Sequence, residues 1–110
     1  MDFQLEKAAK LFKALSDPKR LAILAQLRSG EKCACMLQEL MALTQSGLSY
    51  HMKILCASGL VTAREDGRWI HYRLNPEGQA AAVRLLLEYT TPDSVQLENP
   101  CARPDADCCQ

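Results

Sequence analysis

Apolar positions recur in two different periods along this chain, and the changes of period divide it into elements. Phe3, Leu5, Ala8, Leu11, Phe12 and Leu15 fall on one broad face of a helix over 3–15, with Lys7, Lys10 and Lys13 on much of the rest. Ser16-Asp17-Pro18 breaks that helix and starts another over 18–28. Asp17 is its N-cap, Pro18 its first helical position, and Leu21, Ile23, Leu24 and Leu27 its core face. Ser29-Gly30 ends it. The stretch 34–59, ACMLQELMALTQSGLSYHMKILCASG, then predicts two short helices joined by a tight turn. Met36, Leu37, Leu40 and Met41 mark the first, and Leu48, Met52 and Leu55 the second. Thr44 suits an N-cap between them and Gly59 a C-cap.

After Gly59 the period falls to two. Residues 60–65 read as a strand, Asp66-Gly67 as a hairpin turn, and 68–74 as a second strand. That strand puts Trp69, His71 and Arg73 on one face and Ile70, Tyr72 and Leu74 on the other. Asn75-Pro76 opens a last helix over roughly 77–90, containing Ala80, Val83, Leu86, Leu87 and Tyr89. The expected fold is mainly α with a small β-hairpin, a winged helix-turn-helix. The first and last helices carry more apolar surface than their positions need, which predicts a homodimer through them; packing onto the protomer's own core competes with that. From Thr91 the sequence TPDSVQLENPCARPDADCCQ has three prolines, several acids and little periodicity. The expected domains are therefore 1–90, for DNA binding and dimerisation, and 91–110, a flexible acidic tail containing cysteines.

The second helix of the central pair carries Gln45, Ser46, Ser49, Tyr50, His51 and Lys53 and no acid. Short neutral donors with one cation, on a helix presented by another helix, suit the major groove of DNA. His51 is read as a DNA-facing donor and His71 as a wing residue; an ordinary solvated helix face is the plainer alternative. At the hairpin tip Arg68, with Arg64 nearby, is placed for phosphate or minor-groove contact, against the alternative that both arginines only solubilise an exposed hairpin. Formal net charge is zero, which at first argues against nucleic acid. Its distribution does not. Residues 1–87 hold twelve Lys and Arg against eight Asp and Glu, a balance of +4, and residues 88–110 hold one against five, a balance of −4. A mildly basic body with an acidic tail still presents local patches to DNA. No apolar run approaches the roughly 20 residues that span a bilayer, and the start lacks a signal-peptide core, so a cytoplasmic location and no membrane partner are expected. No nucleophile–base pattern, glycine-rich phosphate loop or catalytic carboxylate pair is present, which excludes the common enzyme designs.

Six cysteines in a short chain of this kind point to metal or redox chemistry. Cys33-Ala-Cys35 lies at the start of the third helix. Residues two apart diverge on a regular helix, so these thiols meet only if the segment departs from helical geometry or a soft ion draws them together. Two thiolates select As(III), Cu(I), Cd, Pb or Zn. Cys101, Cys108 and Cys109 sit where there is little to pack against, so their expected use is ligation or oxidation. Three sulfurs complete an arsenite site, either within the tail or by the tail folding back onto Cys33 and Cys35. Cys56 reads as a small half-buried apolar residue.

LFKALSDPKRLAILAQL, KCACML, LTQSGLSYHMKIL, GLV and GRWIHYRL occur in this order over roughly residues 5–88. Together they resemble the ArsR/SmtB family of metalloregulatory repressors. The resemblance implies a homodimer joined through its first and last helices, bound to operator DNA as double strand and released when a toxic metal or metalloid binds. It carries Gln45, Ser46, Ser49, His51 and Lys53 over as recognition-helix residues. Arsenic-responsive members often carry ELCVCDLC at the third helix; here residues 31–38 read EKCACMLQ. Cys33 and Cys35 match the first two thiolates, Gln38 replaces the third, and Met36 the acidic residue. Other members place vicinal cysteines near the C-terminus, as Cys108-Cys109 does with Cys101. The implied function is a repressor released by As(III), with Sb(III) or methylarsenite as related inducers and no catalytic cofactor. Cd/Pb/Zn sensing, a thiol-redox switch, and a thiol-rich metal carrier with no DNA role are the alternatives.

Overall fold

A computed structural model describes residues 3–93. Five helices and three short strands follow in the order α1 (Phe3–Leu15), α2 (Pro18–Leu27), β1 (Lys32–Cys33), α3 (Ala34–Met41), α4 (Gln45–Ala57), β2 (Val61–Asp66), β3 (Trp69–Leu74) and α5 (Pro76–Thr90). The helix starts follow the predicted caps. The Asp17 carboxylate accepts from the Arg20 amide at 3.0 Å, and that hydrogen bond holds its pKa below the usual value. Thr44 Oγ1 accepts from the Gly47 amide at 3.0 Å. Asn75 differs: its side chain does not cap α5 but donates from Nδ2 to the Gly59 carbonyl at 3.0 Å.

Ile23 and Leu27 of α2, Leu37 of α3, Leu48, Met52 and Leu55 of α4, Val61 of β2 and Tyr72 of β3 form one buried core. The apolar stripes of α2, α3 and α4 thus converge on the base of the hairpin, and each large side chain removed from water contributes roughly 1.5–3 kcal/mol. Leu21 does not join them. It is half exposed and lines an open cleft of about 490 Å³ with Leu24, Leu60, Leu74 and Pro76, because nothing among the described residues covers α2 on that side. Met36 and Leu40 also face outward, since Leu37 alone of α3 is fully buried at the seam with its neighbours.

The sheet has three strands, not two. β3 is central, with β2 antiparallel on one edge and β1 antiparallel on the other. The hairpin loop is Gly67-Arg68, because Asp66 still pairs with Trp69. Gly67 has φ +64° and Arg68 does not share the positive sign, the pattern of a two-residue loop with glycine first. Along β3 the predicted alternation holds only near the base of the hairpin: Tyr72 is buried and Arg73 exposed, while toward the tip Ile70 is exposed like Trp69, because the strand there runs past the core.

A buried arginine ties α1, α2 and α4 together. Arg20 donates from Nε to the Ala14 carbonyl at 2.8 Å and from Nη2 to the Lys13 carbonyl at 3.2 Å, closing the end of α1. Its Nη1 lies 3.3 Å from His51 Nδ1. A guanidinium only donates, so Nδ1 is the acceptor and the imidazole proton sits on Nε2.

α3 ends on Ala42, the one non-glycine residue at positive φ (+53°) among those described. The turn is closed by the Leu43 amide donating to the Gln38 carbonyl at 3.0 Å. An L side chain in this conformation costs about 1 kcal/mol. Ala42→Gly is therefore expected to stabilise the fold by about 1 kcal/mol, read as a higher urea midpoint at unchanged slope. A lower midpoint would show that glycine's unfolded-state entropy dominates.

α5 contributes no buried residue, and Val83, Leu86, Leu87 and Tyr89 stand exposed on it, as do Phe3 and Leu5 on α1. Among the described residues no helix is long and apolar enough to cross a membrane.

Candidate nucleic-acid interface and the adjacent thiol pair

The Thr44 cap sets the start of α4, and the buried Leu48, Met52 and Leu55 fix its rotation. Gln45, Ser46, Ser49, Tyr50 and Lys53 then face outward. The helix has no acidic residue in its first turn, so its amide end stays positive toward an anion. His51 departs from the expected arrangement. It is only 9% exposed and turned inward onto Arg20, with Tyr50 edge-on against its ring at 5.2 Å between centroids. Its position explains this: residues 48, 51, 52 and 55 form one i, i+3, i+4, i+7 stripe, so His51 lies on the core face of α4 and not on the outward face with Gln45 and Ser49.

The two wing arginines also differ. Arg68 occupies the hairpin loop, exposed and with no ion pair or hydrogen bond among the described residues. Arg64 sits within β2. Its Nη2 donates to Glu31 Oε1 at 2.7 Å and its Nε to Oε2 at 3.3 Å, a two-pronged pair that lowers the Glu31 pKa and raises that of Arg64. Arg64 thus anchors the wing to the segment before β1.

α4 and the wing enclose a groove of about 270 Å³, walled by Gln45, Leu48 and Ser49 on one side and by Arg68, Trp69 and Ile70 on the other, with Cys35 and Gln38 between. Behind α4 a second depression of about 340 Å³ brings Lys10 and Lys13 of α1 beside Tyr50 and Lys53. The sequence places Lys10 and Lys13 off the apolar face of the first helix, and their i, i+3 spacing sets both on the side that lies beside α4.

Cys33 and Cys35 meet, with Sγ atoms 2.8 Å apart, because Cys33 does not belong to the helix. It ends β1 in extended conformation (φ −76°, ψ 158°) as the N-cap residue of α3, while Cys35 is the second residue of α3. The strand-to-helix corner brings together two side chains that a continuous helix would spread. β1 exists because Lys32 and Cys33 pair with Tyr72 and His71 of β3. One hydrogen bond links the two thiols, and it holds the Cys33 pKa below the usual thiol value and pushes that of Cys35 above it. The pair thus loses one proton readily and the second with difficulty.

The thiols open into a cleft of about 390 Å³ lined also by Asp66, Trp69 and His71. Cys35 and Trp69 line both this cleft and the groove beside Gln45 and Ser49. Among the described residues no three His, Cys, Asp or Glu side chains are arranged to hold a metal ion. Gln38, where the resemblance led one to look for a third thiolate, lines the α4 groove. Cys101, Cys108 and Cys109 lie outside the described residues. Cys56 is half-buried against the core, and burial raises its pKa.

Comparison with known proteins places this geometry. The family model described as "Bacterial regulatory protein, arsR family" matches residues 17–63, from the Asp17 cap into β2. The arsenical resistance operon repressor of Bacillus subtilis is 47% identical over 74 residues, covering 66% of this chain and 70% of that one. The HTH-type transcriptional repressor SmtB of Mycobacterium tuberculosis is 41% identical over 70 residues, 64% of this chain and 52% of that protein. Among solved structures, the homodimeric winged helix-turn-helix DNA-binding domain of a possible ArsR-family regulator from Mycobacterium bovis superposes with a TM-score of 0.65 at 26% identity, covering 86% of this chain and 91% of that one. The order of elements, the recognition-helix pair with its wing and these relatives agree: the chain belongs to the ArsR family, DNA-binding winged helix-turn-helix repressors of transcription that are not enzymes.

Proposed function

We propose that this chain is a cytoplasmic, homodimeric operator repressor that leaves DNA when its cysteine thiolates capture trivalent arsenic, As(III) or its congener Sb(III). One observation carries the reading: the thiol cleft and the groove between α4 and the wing share Cys35 and Trp69 as walls. A ligand that moves the thiol corner therefore presses directly on the surface offered to DNA. Arsenical-resistance repressors among the relatives support this kind of inducer.

In this reading Gln45, Ser46 and Ser49 meet base edges, Tyr50 and Lys53 flank them, and Lys10, Lys13 and Arg68 meet phosphates. The exposed apolar faces of α1 and α5 join the two protomers. Two recognition helices related by a two-fold axis then read half-sites one turn of B-DNA apart, or a multiple of it. Cys33 and Cys35 supply two sulfurs to arsenic, and Cys101, Cys108 or Cys109 supplies the third for inorganic arsenite. A coupling of about 1–3 kcal/mol between the two sites lowers operator affinity roughly 5–150-fold.

The test is a titration of the operator complex by fluorescence anisotropy. Paired Gln45→Ala and Ser49→Ala substitutions are expected to cost about 1–3 kcal/mol per lost base contact and to erase the preference over random duplex. Arsenite is expected to dissociate the native complex. Undiminished sequence preference in the paired variant, or a native complex indifferent to arsenite, would refute the reading.

A further inference from the structure

We propose that Glu31 is the positioning residue through which movement at the thiol corner reaches the wing: its two hydrogen bonds to Arg64 tie the segment bearing Cys33 to the hairpin bearing Arg68. The inference rests on the arsenic-release reading above and assigns the residues that carry out that release.

The sheet sets three residues in one row. Cys33 of β1 is opposite His71 of β3, and His71 is opposite Arg64 of β2. Residues directly opposed across strands share a face, so thiol, imidazole and guanidinium stand side by side. Glu31, two positions before Cys33, reaches past β3 to the far end of that row. Its Oε1 accepts from Arg64 Nη2 at 2.7 Å and its Oε2 from Nε at 3.3 Å. Arg64 Nη1 also lies 3.9 Å from Asp66, but that contact stays within β2 and ties nothing to the corner. β1 itself holds the hairpin by two residue pairs, fewer than an ordinary strand supplies. The Glu31 clamp is a second attachment, made to the opposite edge of the sheet, and its forked geometry resists rotation as a single hydrogen bond does not.

Capture by sulfur displaces this corner. Cys35 belongs to α3, whereas Cys33 ends β1. Their sulfurs stand 2.8 Å apart. An ion bonded to both at about 2.3 Å, at a right angle or wider, parts them to at least about 3.2 Å. The buried Leu37 seats α3 in the core, so the displacement falls on Cys33 and its strand. The hairpin is pinned at its base, where Val61 and Tyr72 are buried, and free toward its tip, where Trp69 and Ile70 are exposed. His71 is one residue beyond Tyr72 and Arg68 is four, so with an even rise per residue a shift of the row grows roughly fourfold at the tip. Clamped to Glu31, the hairpin follows the corner and Arg68 leaves its phosphate. Unclamped, β1 slides along the edge of β3 and the tip stays in place.

The test follows operator binding by fluorescence anisotropy and sodium arsenite binding by the ultraviolet absorbance of arsenic–sulfur bonds, both on the full chain. Glu31→Gln keeps the size of the side chain and removes its charge. Its arsenite affinity and its operator affinity without arsenite are expected within about twofold of native, and its melting midpoint within a few degrees, because an exposed ion pair adds little stability. The arsenite-induced loss of operator affinity is expected to shrink about fivefold, within the range by which residues outside both binding sites alter coupling. Exchanging the charges, with Glu31→Arg and Arg64→Glu together, is expected to restore most of that loss. Salt dependence gives a readout that a merely structural role would not move. In the native dimer arsenite should lower the slope of log affinity against log salt by about two, one phosphate contact per Arg68, and in Glu31→Gln it should leave the slope nearly unchanged. Undiminished release from Glu31→Gln, an equal loss of its arsenite binding, or a charge exchange no better than the single variant would overturn the proposal. If bound arsenite does not release operator from the native chain, the arsenic reading itself fails and the proposal falls with it.

Discussion

With Cys33 and Cys35 both changed to serine, saturating arsenite is expected to lower operator affinity by less than about twofold, against roughly 5–150-fold for the native protein. Affinity without arsenite should stay near native, because neither sulfur belongs to the core and Cys35 is exposed. Serine keeps the size and polarity of the corner but offers a hard hydroxyl that a soft ion does not select. The single variants should differ in a way set by the shared proton. Cys33 is the residue whose pKa is lowered, so its thiolate fraction at neutral pH exceeds that of an ordinary thiol and declines as pH falls through that lowered value. Iodoacetamide at neutral pH is thus expected to label Cys33 ahead of Cys35, and Cys35→Ala should slow that labelling by removing the hydrogen-bond partner that stabilises the Cys33 thiolate. Normal arsenite release from the double-serine protein would place the sensor elsewhere, with the tail cysteines as the next candidates.

Removing the guanidinium at position 20 is expected to be the most damaging single change to stability. Arg20→Ala strips the Ala14 carbonyl and His51 Nδ1 of the partners they have in the fold. Each buried group left unsatisfied costs about 1–3 kcal/mol, so the loss is roughly 2–6 kcal/mol against a total of about 5–15 for a domain. At about 4–8 °C per kcal/mol, the melting midpoint should fall by at least about 8 °C, measured by circular dichroism. Arg20→Lys should recover only part, since a single ammonium cannot reach two helices with the geometry of a planar fork. His51→Ala removes one bond of the three and should cost less. A midpoint for Arg20→Ala within a few degrees of native would mean that α1, α2 and α4 are held together by apolar contacts alone.

Most of this architecture was legible from periodicity because each element's pattern agrees with its surroundings. The Asp17 and Thr44 caps and the stripe of α4 needed no tertiary information. The failures have specific causes. β1 is two residues long and shows no alternation; it exists only through its pairing with His71 and Tyr72, some forty positions later. Without it, Cys33 is assigned to the helix and the thiols appear to diverge. Assigning polar residues to solvent put His51 on the wrong face, although its spacing from Leu48 and Leu55 already placed it on the core stripe. Arg20 lies on the corresponding stripe of α2 with Ile23, Leu24 and Leu27. Two polar residues on facing apolar stripes, each with something to offer the other, are readable as a buried pair; neither is readable alone. The Glu31–Arg64 link could not be foreseen, since it depends on the corner before β1 meeting the far edge of the hairpin.

Where α5 begins, its backbone lies so close to the corner between α4 and β2 that a β-carbon on Gly78 would come within 1.7 Å of the Gly59 carbonyl oxygen. The Asn75 amide and side chain fasten the same spot, to the carbonyls of Leu60 and Gly59. Two backbones in contact leave no lever arm for a side chain to absorb. In the proposed dimer, the rod that meets the second subunit and the rod that meets the double helix therefore pivot on a common bearing. In that assembly a twist of one subunit against the other passes through this bearing toward the reading surface, and even the smallest side chain at position 78 would knock it out of true.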